Sequence, residues 1–158
     1  MQSMTYSAIA PTERLIKKWL HDRQAFIVSL HQLCSLRPFN ETNDLAMLSA
    51  LMQDFCEKLV DYISYGHFTI YEKLIAITEL SHHPMAHVPQ HLLDSLLQTT
   101  HTALDFNDSC QREFDLIQLD NKLSHLAEHI AQRLEWEDKL IEKYSLAKAW
   151  ILDLAKTA

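Results

Sequence analysis

Ten histidines and three cysteines carry most of the reactive chemistry in this 158-residue chain, and their spacing limits what they can do. A helical metal pair needs two strong ligands three or four residues apart on one face. His125 and His129 have that spacing. His67 and Tyr71 are also four apart, but Tyr71 stands where a hemerythrin-like di-iron centre would need a Glu, and the supporting carboxylates are missing. His82, His83, His87, His91 and His101 fall in or near a loop, where such a group holds at most adventitious metal. Neither a metal nor a cofactor is expected.

Catalysis finds no support either. No histidine is followed by the Lys and Gly that make room for phosphate in a phosphotransfer bundle, and there is no GxSxG nucleophile turn. With a single glycine, no phosphate-cradling loop can be built. The chain reads as non-enzymatic. Cys34, Cys56 and Cys110 are odd in number and never form a CxxC pair, which fits a reducing compartment without a disulfide framework. The first residues lack a basic, apolar leader, and no stretch reaches the roughly 18 apolar residues of a membrane span, so the expected location is cytoplasmic.

The elements that must position these residues are helices. With 47% hydrophobic residues, one Gly and four Pro, the chain lacks the frequent turns of a sandwich or barrel. The fold class is all-α: one domain spanning 1–158, an up-and-down antiparallel bundle of about four long helical segments, with residues 1–10 a loose end. Pro11 and Thr12 signal the start of a first helix with Leu15, Trp19, Phe26, Leu30 and Leu33 on one face, and Pro38 ends it. Asn43 or Asp44 caps a second, whose stripe Leu48, Met52, Phe55, Leu59 and Ile63 continues past Gly66 into Ile70, Leu74 and Ile77. After the break at "SHHPMAHVPQH", a third segment runs from about Pro89 toward Phe106 and frays at "FNDSC". The last helix extends from about Phe114 to Leu154 through Leu119, Leu123, Leu126, Ile130, Leu134, Ile141 and Tyr144.

The stretch "DFCEKLVDYISYGHFTIYEKL", residues 54–74, holds the single glycine. Wound as an unbroken helix, it places Gly66 on the packed side, where it permits a bend or a close helix approach. Asp54, Glu57, Asp61, Ser64, Tyr65, Phe68 and Glu72 share the opposite face within an arc of about 80° to 100°. Tyr71 is counted with this face. Aromatic anchors ringed by acids suit a protein-binding patch, although acids alone are more often a solvated surface. Arg23 lies between Trp19 and Phe26 on an apolar face, and Arg133 and Glu137 stand at i, i+4 among apolar residues. The arginine stems could snorkel to the rim; if buried, they must pair with Glu137, and His67 could join an internal network that fixes helix register.

A formal net charge of −7 disfavours direct binding to nucleic-acid phosphates or anionic membranes and suits a basic protein partner. Three blocks carry a family resemblance: "FCEKLVDYISYGHFTIYE", "WLHDRQ" and "LEWEDKLI". Together they resemble the Rsd/AlgQ family of bacterial anti-sigma regulators, over most of residues 13–150. The resemblance implies an all-α bundle that binds region four, the carboxy-terminal module of the primary sigma factor, and keeps sigma from core RNA polymerase and promoter DNA without turnover. On that motif the sigma-facing residues would be Asp61, Ser64, Phe68 and Glu72 first; Tyr65 stands where the family often has a small residue. A second acidic set, Glu135, Asp138 and Glu142, faces outward on the last helix. Two other readings compete: a hemerythrin-like metal or oxygen-sensing bundle, and a general signalling adaptor.

Overall fold

The computed structural model describes residues 2–41, 43–110 and 115–158. They form helices: α1 (Gln2–Cys34), α2 (Leu45–Tyr65), a π-helical turn (Gly66–Ile70), α3 (Tyr71–Ser81), a short 3-10 turn (Pro84–Ala86), α4 (Gln90–Cys110) and α5 (Leu116–Thr157). Because the π turn joins α2 to α3 without a break, the chain makes four long helical segments, as the composition implies.

Asp44 caps α2, its carboxylate accepting from the backbone N–H groups of Ala46 at 3.0 Å and Met47 at 3.1 Å. Asp115 does the same for α5 through Ile117 N–H at 3.0 Å. Each cap satisfies donors that the first helical turn leaves unpaired, worth about 1 kcal/mol.

Two boundaries differ from the sequence reading. α1 starts at Gln2 rather than Pro11, because the buried series Ile9, Thr12, Ile16 and Trp19 keeps helical spacing across the proline. α4 runs through "FNDSC" to Cys110 instead of fraying, anchored by buried Phe106. The expected α5 start at Phe114 lies outside the described residues.

α1 packs on α2, α2 on α4, α4 on α5 and α5 on α1, closing the bundle, while α3 leans on α5 and α1. The centre is aromatic. Phe26 stacks on Phe55 and Tyr62 with centroids 5.5 and 5.2 Å apart, and Phe106 meets Phe55 edge-on at 5.9 Å. No helix among the described residues is long and apolar enough to cross a membrane.

Candidate partner-binding face and its buried polar core

The π turn decides which side chains face out. Its last bond closes from Tyr71 N–H to the Gly66 carbonyl, five residues back instead of four. The extra residue holds everything after it back by one position, about 100° on a helix of 3.6 residues per turn. This rotation corrects the sequence reading of Tyr71. Wound straight, Tyr71 sits at the edge of the acidic face; held back, it turns into the core, together with Leu74, Ile77, Thr78 and Ser81, all buried.

There Tyr71 meets a charged cluster. Arg133 and Glu137 have no solvent exposure and pair through Nε and Oε1 at 2.9 Å. Burial of two ions is costly unless their remaining polar atoms are satisfied. Tyr71 donates to Glu137 Oε1 at 2.5 Å, and the Tyr62 hydroxyl donates to Oε2. Arg133 Nη1 donates to Thr100 Oγ1 at 2.8 Å and Thr99 Oγ1 at 3.1 Å. Arg23 reaches in from α1, with Nη1 3.4 Å from Glu137 Oε2 and Nη2 2.8 Å from Asp138 Oδ1. Burial and the Glu137 carboxylate both push the Tyr62 and Tyr71 hydroxyls well above the usual tyrosine range, so they remain donors. Burial works against the Arg133 charge, but Tyr71, Glu137 and Tyr62 outweigh it and raise its pKa. Four elements are thus tied together: α1 by Arg23, α2 by Tyr62, α3 by Tyr71 and α4 by its two threonines, all on a pair carried by α5.

His67 does not join this network by hydrogen bonds. Its Nδ1 is buried without a partner among the described residues, and its ring meets Tyr71 edge-on at 6.1 Å. Burial, then Arg133 and His101, lower its pKa below the ordinary histidine value and keep it neutral. A proton added at Nδ1 would have no acceptor among the described residues.

The outward face lies on the other side. Phe68, in the π turn, is 71% exposed, the ring edge-on to His67 at 5.0 Å. Ser64, Tyr65 and Phe68 line an open groove between α1 and α2 with Asp61, Lys58 and Lys18. Lys18 Nζ sits 4.4 Å over the Tyr65 ring and pairs with Asp22 at 2.6 Å. Asp61 and Glu72 are exposed on either side of the π turn. Asp54 and Glu57 sit further toward the start of α2: Asp54 accepts from Lys58 at 2.6 Å and Ser29 at 3.3 Å, and Glu57 from Gln53 at 3.2 Å. The structure therefore gathers Asp61, Ser64, Tyr65 and Phe68 around one groove and leaves Asp54 occupied by neighbours. In the second acidic set, Asp138 is engaged by Arg23, while Glu135 and Glu142 are exposed.

Sequence reasoning missed Tyr62, Thr99 and Thr100 as network members. The signal was present: Thr99 and Thr100 fall on the buried stripe of α4 beside Leu96 and Ala103, where hydroxyls need a partner. His125 and His129 lie with ring centroids 4.4 Å apart and planes tilted by 54°, but among the described residues no three of His, Cys, Asp and Glu come together as a metal-holding group.

The chain is similar to known proteins along most of its length. The family model described as "Regulator of RNA polymerase sigma(70) subunit, Rsd/AlgQ" matches residues 3–145. Among relatives, a "Regulator of sigma D" from Enterobacter sp. (strain 638) is 30% identical over 145 residues, covering 89% of this chain and 86% of its own. Proteins of the same name from Salmonella arizonae, 29% identical with 84% and 83% covered, and from Yersinia pseudotuberculosis, 28% identical with 90% and 85% covered, are similar at comparable distance. With a family model spanning nearly the whole chain, relatives covered almost end to end and an all-helical bundle in place, the chain belongs to the Rsd/AlgQ family.

Proposed function

We propose that this protein is a stoichiometric anti-sigma regulator that binds region four of the primary sigma factor and holds it away from core RNA polymerase and promoter DNA. Membership of a family of sigma regulators supports the partner. The observation that carries the reading on this chain is Phe68: a large aromatic ring standing out of the helix at the π turn, with Asp61 and Glu72 exposed on either side. Exposed single hydrophobics are ordinary, but an aromatic held out beside a groove lined by charged side chains of both signs, with Asp61 and Glu72 exposed near it, has the make-up of an interface anchor with a charged rim.

The electrostatics fit the same partner. Region four is a helix-turn-helix module whose basic surface meets DNA phosphates, and a chain of net charge −7 presents the opposite sign to it. Charge speeds and orients the encounter, while the ring supplies buried contact. Asp61, Ser64, Tyr65, Phe68 and Glu72 are the contacting set; Glu57 extends its acidic rim, and Asp54 serves α2 through Lys58. Tyr71, Arg23, Arg133 and Glu137 act from inside, fixing the π turn that presents the ring. Neither a cofactor nor direct nucleic-acid contact has a part in this mechanism.

Titration of the full chain with isolated region four at low salt tests the reading. A one-to-one complex that weakens as salt rises is the expected result; no complex at micromolar concentrations rejects it.

A further inference from the structure

Two cysteines outside the proposed contacting set lie next to it. Cys56 on α2 and Cys110, the last residue of α4, lie far apart in sequence but line the same open groove, with Gln53, Glu57, Asp61 and Asn107 around them. Both are free thiols, one residue after Phe55 on α2 and four after Phe106 on α4, whose rings meet at 5.9 Å, and each acts on the titration of the other. Cys56 is buried against the core, 5% exposed, whereas Cys110 is half-buried at the groove. Cys34, the third cysteine, is absent from the groove lining and lies near Arg37 and Asp120 instead.

The two thiols are not equivalent. The neighbouring Cys56 thiol favours the Cys110 thiolate; burial opposes this, Ser109 and Lys122 assist it, and the Cys110 pKa falls below the ordinary thiol value. The neighbouring Cys110, together with burial, pushes Cys56 far upward, so it keeps its proton. The more accessible member of the pair is the one with thiolate character, and the second thiol lines the same groove. This arrangement has the two components of a peroxide-reactive dithiol: a nucleophile open to the groove and a resolving partner behind it.

We propose that Cys56 and Cys110 are a modification site, closing to an intramolecular disulfide between α2 and α4 when the protein meets hydrogen peroxide. The Cys110 thiolate attacks one peroxide oxygen, the O–O bond breaks, and hydroxide leaves with the electron pair, giving a sulfenic acid. The Cys56 sulfur then attacks the Cys110 sulfur and the S–O bond breaks. The departing hydroxide takes the Cys56 proton as water, and the proton released earlier by Cys110 neutralises the first hydroxide. Two thiols are oxidised by two electrons in total, and one peroxide becomes two waters. The disulfide would staple α2 to α4 beside Glu57 and Asp61, in the groove that both cysteines line.

The test treats the reduced full-length protein with stoichiometric hydrogen peroxide, alkylates what remains and maps the peptides. Expected is a monomer that has lost two of its three thiols, yields a Cys56–Cys110 crosslinked peptide and is restored by dithiothreitol. Cys34→Ser should react as the parent does, Cys110→Ser should lose the crosslink, and Cys56→Ser should stop at a Cys110 sulfenic acid trapped by dimedone. A crosslink through Cys34, disulfide-linked dimers, a parent protein left as sulfenic acid on Cys110, or no loss of thiols would each overturn the proposal.

Discussion

Gly66 lies directly against the indole of Trp19: a methyl group added at Gly66 would stand 3.1 Å from Trp19 Nε1 and 3.5 Å from both Arg133 Nη2 and the Tyr71 hydroxyl. The single glycine of the chain thus marks a close approach between the π turn and the buried charge cluster. Its backbone is ordinary right-handed helix, with φ −59°, so no side chain is forbidden there by conformation. The constraint is space. Trp19 cannot yield easily, since it is fully buried, stacked on Tyr62 at 6.3 Å and edge-on to Tyr71 at 6.0 Å.

Gly66→Ala therefore sets two effects against each other. Alanine favours helix by about 1 kcal/mol over glycine. Overpacking a rigid neighbour costs typically 1–3 kcal/mol. A net loss of about 1 kcal/mol is expected, lowering Tm by roughly 2–4 °C for a domain of this size. Thermal unfolding of the variant checks it, and a raised Tm would mean that Trp19 moves aside.

Arg133→Met removes the buried cation and leaves the Glu137 carboxylate with only the longer 3.4 Å contact to Arg23. Breaking one side of a buried pair costs about 3–5 kcal/mol, whereas replacing both sides can be nearly neutral. The double variant Arg133→Met, Glu137→Gln should regain a large part of that loss. Arg23→Met, at the wetter rim of the cluster, should cost less, about 1 kcal/mol. Urea unfolding of the four proteins gives the comparison, and an Arg133→Met protein as stable as the parent would remove the cluster from the account of the fold.

His82 ends α3 in the left-handed region, with φ 51°, where a non-glycine residue is strained by about 1–2 kcal/mol. Helices commonly use glycine at this position. His82→Gly relieves the strain but loosens the unfolded chain, so a net gain of about 0.5–1 kcal/mol is expected in equilibrium unfolding.

Glu13 ties α1 to α5 by accepting from Tyr144 at 2.6 Å and Lys148 at 2.7 Å. Burial raises its pKa, but the two hydrogen bonds and the Lys148 charge lower it further, leaving it below 4.5. A depressed carboxylate contributes stability above its unfolded pKa and loses it as pH falls through the folded value. Glu13→Gln should be slightly less stable than the parent at pH 7, and the gap should close as pH falls below 4.5. A gap that persists at pH 2 would assign the effect to packing rather than charge.

Much of this architecture is legible in the residue pattern. The apolar stripes of α2 and α5 and a cap at Asn43 or Asp44 follow from spacing, and the cost of burying charge makes Glu137 the partner that Arg133 must take once it is buried. What spacing alone misses is the π turn. A hydrophobic stripe is read by a fixed step of about 100° per residue, so one inserted residue goes unseen and every later side chain is read about 100° out of place, which changes the side for those near the edge of a face. Tyr71 went astray for that reason, while Ile70, Leu74 and Ile77 tolerate the shift and are buried either way. Pro11 misleads differently: it is a strong start signal, yet the buried series from Ile9 to Trp19 carries the helix through it.

The central claim, that this protein meets sigma through the ring and acids presented at the π turn, is tested most directly by titrating labelled region four with the parent protein and with Phe68→Ala. Phe68 is 71% exposed and outside the core, so the variant should unfold as the parent does. An anchor residue is worth about 2 kcal/mol or more in binding, which is roughly a 30-fold loss of affinity. Equal affinity for the two proteins, or no complex with either, would contradict the claim.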